Sequence, residues 1–192
     1  FLGDITETIF CRITAGYWMS RSSVVWGPFS IVWGLAIAAA TALLYRYRNR
    51  SDGFLFFAGT FLGGAYEYLC SVFTEIVFGT VFWDYSKIPF NLGGRINLLY
   101  CFFWGIAAVI WLKILYPFIS GWIEKIPMRI GKILTWVLLI FMIVNMAVSA
   151  LALARMDARA SGIPAENVLE EWLDSSYNDD VMNRIYPNAK RK

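Results

Sequence analysis

The chain has 192 residues, 58% of them hydrophobic and 16% charged, with a mean hydropathy of +0.54, whereas a soluble domain is about 45–50% apolar and about 25% charged. The apolar excess is gathered in runs near the roughly 20 residues that cross a bilayer, which predicts an all-α integral membrane protein. A formal net charge of +3, thinly dispersed, offers no case for a nucleic-acid partner.

In chain order, five transmembrane helices are expected. The first, 1–13, carries Asp4, Glu7 and Arg12 and reads as the second half of a span whose beginning lies upstream. After a polar link with Arg21, the second span, 27–45, is rich in Ala and Gly, residues that let helix backbones approach closely in lipid. It stops at the basic cluster Arg46, Arg48 and Arg50. The third span, 53–79, contains the packing signal Gly59-x-x-x-Gly63. Glu67 lies about 21 Å along it, at 1.5 Å per residue, which puts a carboxylate at hydrocarbon depth, with Glu75 two turns further on.

The stretch 83–97, WDYSKIPFNLGGRIN, separates the third span from the fourth, 96–116. It combines the interface-seeking aromatics Trp83, Tyr85 and Phe90 with Asp84, Asn91 and Arg95, and with the turn formers Pro89, Gly93 and Gly94. Segment 118–130 is too polar to span and reads as an interfacial amphipathic piece bent at Pro127. The fifth span, 133–154, is apolar apart from Asn145 and Ser149. The transmembrane domain is therefore 1–155. A short soluble helical tail follows over 156–192, with one helix opened at Pro164, carrying Val168, Leu169, Trp172 and Leu173 on one face, and another capped by Asn178. The positive-inside tendency puts Arg46–Arg50 and Lys125–Lys132 in the cytoplasm and 83–95 outside.

Phe1-Leu2-Gly3-x-x-x-Glu7 recurs as Phe61-Leu62-Gly63-x-x-x-Glu67, and Pro28-Phe29 recurs as Pro89-Phe90, at offsets of 60 and 61 residues. Matching offsets point to a parallel two-helix internal repeat, 1–45 and 61–105. Transporters commonly place substrate at such a repeat interface. The reading expects Glu7, Glu67, Asp84 and Arg95 to converge on one outward-facing polar pocket, with Asn91 and Arg21 at its rim. Arg95 there would keep the carboxylates charged.

The chain has no His, which removes His-based general base catalysis and His metal sites, and no P-loop motif. Cys11, Cys70 and Cys101 are far apart and apolar in context, so they read as packing residues. No cofactor, metal or catalytic residue is expected.

The blocks FLGDITETIFC, RSSVVWGPFSIVWG, EYLCSVFTEIVFG and FWDYSKIPFNLGGRINLLYCFFWG, with the tail DDVMNRIYPN, resemble the ABC-transporter permease type IV family. The WDYS–PFN–GRI block is the most specific part. The resemblance implies a multi-pass protein of the bacterial cytoplasmic (inner) membrane, named as a transporter permease and implying a separate ATPase subunit. Three functions stay open at this point. The first is a permease for a small polar or amphiphilic solute, as a homo-oligomer or with the ATPase. The second is a membrane-embedded enzyme acting on a lipid-linked substrate. The third is a structural or regulatory membrane partner. Lacking an activated nucleophile or metal set, the chain favours transport over catalysis.

Overall fold

A computed structural model describes residues 1–191. The architecture is helical: α1 (Leu2–Ala15), α2 (Ile31–Leu44), α3 (Asp52–Phe78), α4 (Leu98–Ile110), α5 (Tyr116–Ile123), α6 (Met128–Ala160), α7 (Val168–Ser176) and α8 (Asp179–Ile185). Two small antiparallel pairings accompany them: β1 (Thr80–Val81) with β4 (Lys190–Arg191), and β2 (Asn91–Leu92) with β3 (Ile96–Asn97). Among the described residues, two helical stretches are both long and apolar enough to cross a bilayer, Leu98–Ile123 and Met128–Ala160. Their surfaces are lipid-like, with Ile114, Ile133, Trp136 and Ile140 exposed. This is a membrane protein. α1 rises about 21 Å over its 14 residues, less than the ~30 Å hydrocarbon thickness.

The chain divides into two compact units, one holding Phe1–Trp33, Phe78–Phe82 and the chain from Trp136 onward, the other Gly34–Val77 and Trp83–Thr135. In the first unit, α6 grips the loop between α1 and α2. Asn145, fully buried, accepts from the Trp26 backbone N–H at 3.1 Å and donates to its carbonyl at 2.8 Å. Ser149 accepts from the Val25 N–H at 2.9 Å. These two polar residues satisfy the backbone of an irregular segment that lipid could not solvate. The tail packs on the same unit: Ala152, Leu173, Tyr177, Met182 and Tyr186 form its apolar core.

In the second unit, α3 and α4 meet through small residues. A side chain at Gly59 would meet the Ala108 Cβ at 2.4 Å, one at Gly63 the Trp104 Cβ at 2.3 Å, and one at Gly64 the Cys101 sulfur at 2.7 Å. Bare backbone is what lets these helices touch. A further cluster, Leu44, Leu55 and Leu112, closes the other end.

Two boundaries differ from the sequence reading. Residues 118–123 continue α4 through a π-helical turn, Trp111–Leu115, so the first half of the expected interfacial piece is the end of one 26-residue helix. Pro117 explains the turn. It brings no N–H, and a wide turn just before it spares the helix a break. That run ends at Ile123, and Pro127 lies in the short break before α6 starts at Met128. In the tail, Asn167 rather than Pro164 opens α7. Its side chain accepts from the Glu170 N–H at 3.0 Å, while the Glu170 carboxylate accepts from the Glu166 N–H at 2.8 Å, one residue ahead of the N-cap. Of the four apolar residues expected on one face, Leu173 alone is buried. Asn178 caps α8, accepting from Val181 at 3.0 Å.

Candidate functional site

Each expected site residue is held by its own neighbours. In the first unit Glu7, on α1, receives Arg21 Nε at 2.7 Å on one carboxylate oxygen and the Trp33 indole N–H at 3.0 Å on the other. Gly3, one turn earlier, lies flat against Trp33, where an added Cβ would meet the ring at 2.3 Å. In the second unit Glu67, on α3, receives the Tyr85 hydroxyl at 2.8 Å and the Trp104 indole N–H at 3.0 Å. Gly63, again one turn earlier, lies against Trp104. Both glutamates thus sit four residues after a glycine that seats a tryptophan. That tryptophan then hydrogen-bonds the glutamate.

Arg95 is drawn to Glu75, with which it pairs directly, and to the Ser71 hydroxyl at 3.2 Å; its guanidinium lies 5.9 Å from the Tyr68 ring centroid. Glu67, Ser71 and Glu75 share a stripe of α3 at four-residue spacing, so the loop 83–97 reads one face of that helix through Tyr85 and Arg95. The loop itself is organised from within. Gly93 (φ 61°) and Gly94 (φ 70°) form a hairpin turn that requires positive φ at both positions, closed by Arg95 N–H to the Leu92 carbonyl at 3.1 Å. Asn91 is committed to this loop: its amide donates to the Ile88 carbonyl at 2.8 Å and its oxygen accepts from Gly94 at 2.9 Å. Asp84 accepts from the Ser86 N–H at 2.9 Å, an Asx turn. Asn97, buried, caps α4 through Leu99 at 2.9 Å and donates to the Pro89 carbonyl at 2.6 Å.

Asn91 and Asp84 therefore shape the loop, while Tyr85, Arg95, Glu67 and Glu75 carry polar contacts between loop and helix. Sequence reasoning missed Trp33, Trp104 and Ser71, and did not count Tyr85 or Asn97 of the stretch 83–97 among the site residues. One signal could have found the tryptophans: Trp33-Gly34 and Trp104-Gly105 recur early in the two returning helices. Glu75, noted two turns beyond Glu67 but not among the expected site residues, holds Arg95. Among the described residues, no group of three or more His, Cys, Asp or Glu is arranged to hold a metal ion.

A family model, "Putative ABC-transporter type IV", matches residues 1–150, which takes in both glutamate clusters and the loop 83–97. The chain belongs to this family. Neither the curated proteins nor the solved structures give a match. The matched stretch ends within α6, ahead of α7 and α8.

Beyond that stretch lies a dense charge cluster. Arg155 donates to both Asp174 oxygens, at 3.1 and 2.6 Å, and Arg159 bonds Asp174, Asp179 (2.9 Å) and the Tyr177 carbonyl (3.0 Å). The Arg155 hydrogen bonds, with those of Arg159, hold the Asp174 carboxyl down at about 2. Burial pushes the Tyr186 phenol up to about 12.

Proposed function

We propose that this chain is the permease-like membrane component of an ABC-type transport system, a multi-pass protein of the bacterial inner membrane that works with a separate ATPase subunit. Its solute is small and polar or amphiphilic. Its helix pairs, 1–45 and 61–105, are copies of one ancestral unit. The observation that carries the reading is the repeated trio of glycine, glutamate and indole: Gly3, Glu7 and Trp33 in one unit, Gly63, Glu67 and Trp104 in the other. The offset of the glutamates, 60 residues, is matched within one by that of the Pro-Phe pairs. Intramembrane carboxylates held by indoles and by an arginine or tyrosine are costly to maintain, and function is the usual reason they persist. Duplicated helix pairs are a common ground plan for transporters.

In this reading Glu7 with Arg21 in the first unit, and Glu67 with Arg95 in the second, each bind solute, and Asp84 and Asn91 set the loop that delivers Arg95. The test uses inverted membrane vesicles from a bacterial host carrying the wild-type chain or the single variants Glu67→Gln and Arg95→Ala. Small molecules that move on ATP addition are profiled by mass spectrometry. The expected result is a solute whose ATP-dependent movement requires the wild-type chain and is lost in both variants, each eluting as folded protein in detergent. Folded variants that transport normally would falsify the assignment.

A second reading is favoured by one specific feature, the pairing of Glu7 with Arg21 and of Glu75 with Arg95. On that reading the clusters lock helices together, and both variants would unfold rather than lose transport.

A further inference from the structure

A cavity of about 530 Å³ opens within the first unit, walled by the first two turns of α1, by the loop that follows α1 and by Ile185 of α8. Ile5, Ile9, Val24, Pro28 and Ile185 make most of its lining apolar, and Thr8, Ser20 and Ser22 contribute hydroxyls. Its size falls in the range of small-molecule sites, about 300–1,000 Å³. One acid stands on the wall: Asp4, only 3% exposed. Its Oδ1 is buried with no hydrogen-bond partner among the described residues. A buried acceptor of this kind is costly to leave unpaired, the more so when charged. Arg21, a cation of the loop that follows α1, is bonded to Glu7. Arg12 is held at the far end of α1, bonded to the Gly16 carbonyl with its guanidinium over Trp18.

We infer that this cavity is a binding site for the ammonium group of an amphiphilic amine, with Asp4 as its counter-ion and the isoleucine and valine wall receiving the apolar body. The chemistry is selective. An anion meets the like charge of the carboxylate, and a neutral alcohol supplies one donor without balancing it. An alkylammonium supplies both charge and N–H donors, and rotation about the Asp4 χ2 bond, which is broad and soft, turns an oxygen toward it. The occupant is either a free amphiphilic amine or the primary-amine headgroup of a phospholipid, which share this chemistry. The site stands apart from the transport reading, since it requires neither ATP nor a repeat.

The test is equilibrium binding of n-hexylamine, protonated at pH 7.5, against n-hexanol. It uses the purified full chain in phosphatidylcholine nanodiscs, with calorimetry as readout. The expected result is saturable hexylamine binding, at least ten-fold tighter than hexanol, and at least a ten-fold loss in Asp4→Asn. Ile9→Trp, which fills the cavity from its half-exposed rim and keeps Asp4, is expected to weaken hexylamine by a similar factor even where Asp4→Asn folds poorly. Repeating the titration in nanodiscs containing phosphatidylethanolamine separates the sources. Loss of hexylamine binding there identifies the lipid headgroup, and unchanged binding identifies a free amine. Equal binding of amine and alcohol, or hexylamine binding unchanged in the folded variants, overturns the site.

Discussion

At the scale of single residues, partner chemistry is what distinguishes one polar group from the next. Asn145 returns both of its amide bonds to the Trp26 backbone. Asn145→Leu therefore leaves a buried N–H and C=O unpaired, and detergent-solubilised protein should lose about 1–3 kcal/mol in a denaturation titration. Asp174 gives a pH signature. Its carboxyl, ordinarily near 3.8, is held at about 2 in the folded chain. A depressed folded value means that its contribution is fully present above 3.8 and is lost as pH falls through about 2. Amide protection across α7 and α8 should accordingly hold at pH 5 and drop between 3.8 and 2, and Asp174→Asn should lack that step. Phe90 is a different case. It is a bulky, exposed residue at φ 60°, between Pro89 and β2 at the base of the hairpin. That conformation costs about 1–2 kcal/mol for a non-glycine residue. Phe90→Gly should raise stability by up to about 1 kcal/mol, and an unchanged or lowered midpoint would show that the ring itself contributes more than the strain removes.

At the scale of elements, the α3–α4 contact depends on what is missing from it. Gly59 and Gly63 leave no room for even a methyl group against Ala108 and Trp104. Gly63→Ala should cost about 1–3 kcal/mol, because overpacking a close helix contact forces backbones apart. The same substitution should disturb the Trp104–Glu67 bond, read as a shift in tryptophan emission. Gly121 on α5, with nothing near it, is the matched control. The helix signals in the sequence were legible here, as were the Gly59-x-x-x-Gly63 contact and the Asn178 cap, because each is written within a few residues. The Asn167 cap was equally local and was overlooked in favour of Pro164. The π-helical turn before Pro117 was not legible, since apolar periodicity alone does not register a change in hydrogen-bond spacing.

At the scale of the whole molecule, the orientation remains an inference from charge. Arg46, Arg48 and Arg50 are expected in the cytoplasm and Ser86 outside. In a background with Cys11, Cys70 and Cys101 replaced, a cysteine at Ser86 should react with an impermeant maleimide in intact cells, and one at Asn49 only after lysis. The opposite pattern would reverse the sidedness and move the loop 83–97 to the cytoplasmic face.

Membrane residence and helical class follow from composition and run length, because lipid punishes unpaired backbone wherever it occurs. The candidate residues Glu7, Glu67 and Arg95 also stood out on that ground, being ionisable groups among apolar neighbours. Their partners did not. Nothing local says that Arg95 pairs with Glu75, 20 positions earlier, or that Glu67 is held by Trp104, 37 positions later. Those choices come from how α3, the loop and α4 pack, and a hydrogen bond reaches only as far as the backbone allows. Asp4 shows the converse. Its type and position were plain in the sequence, but its lack of a partner and the cavity beside it exist only once the chain has closed around α1.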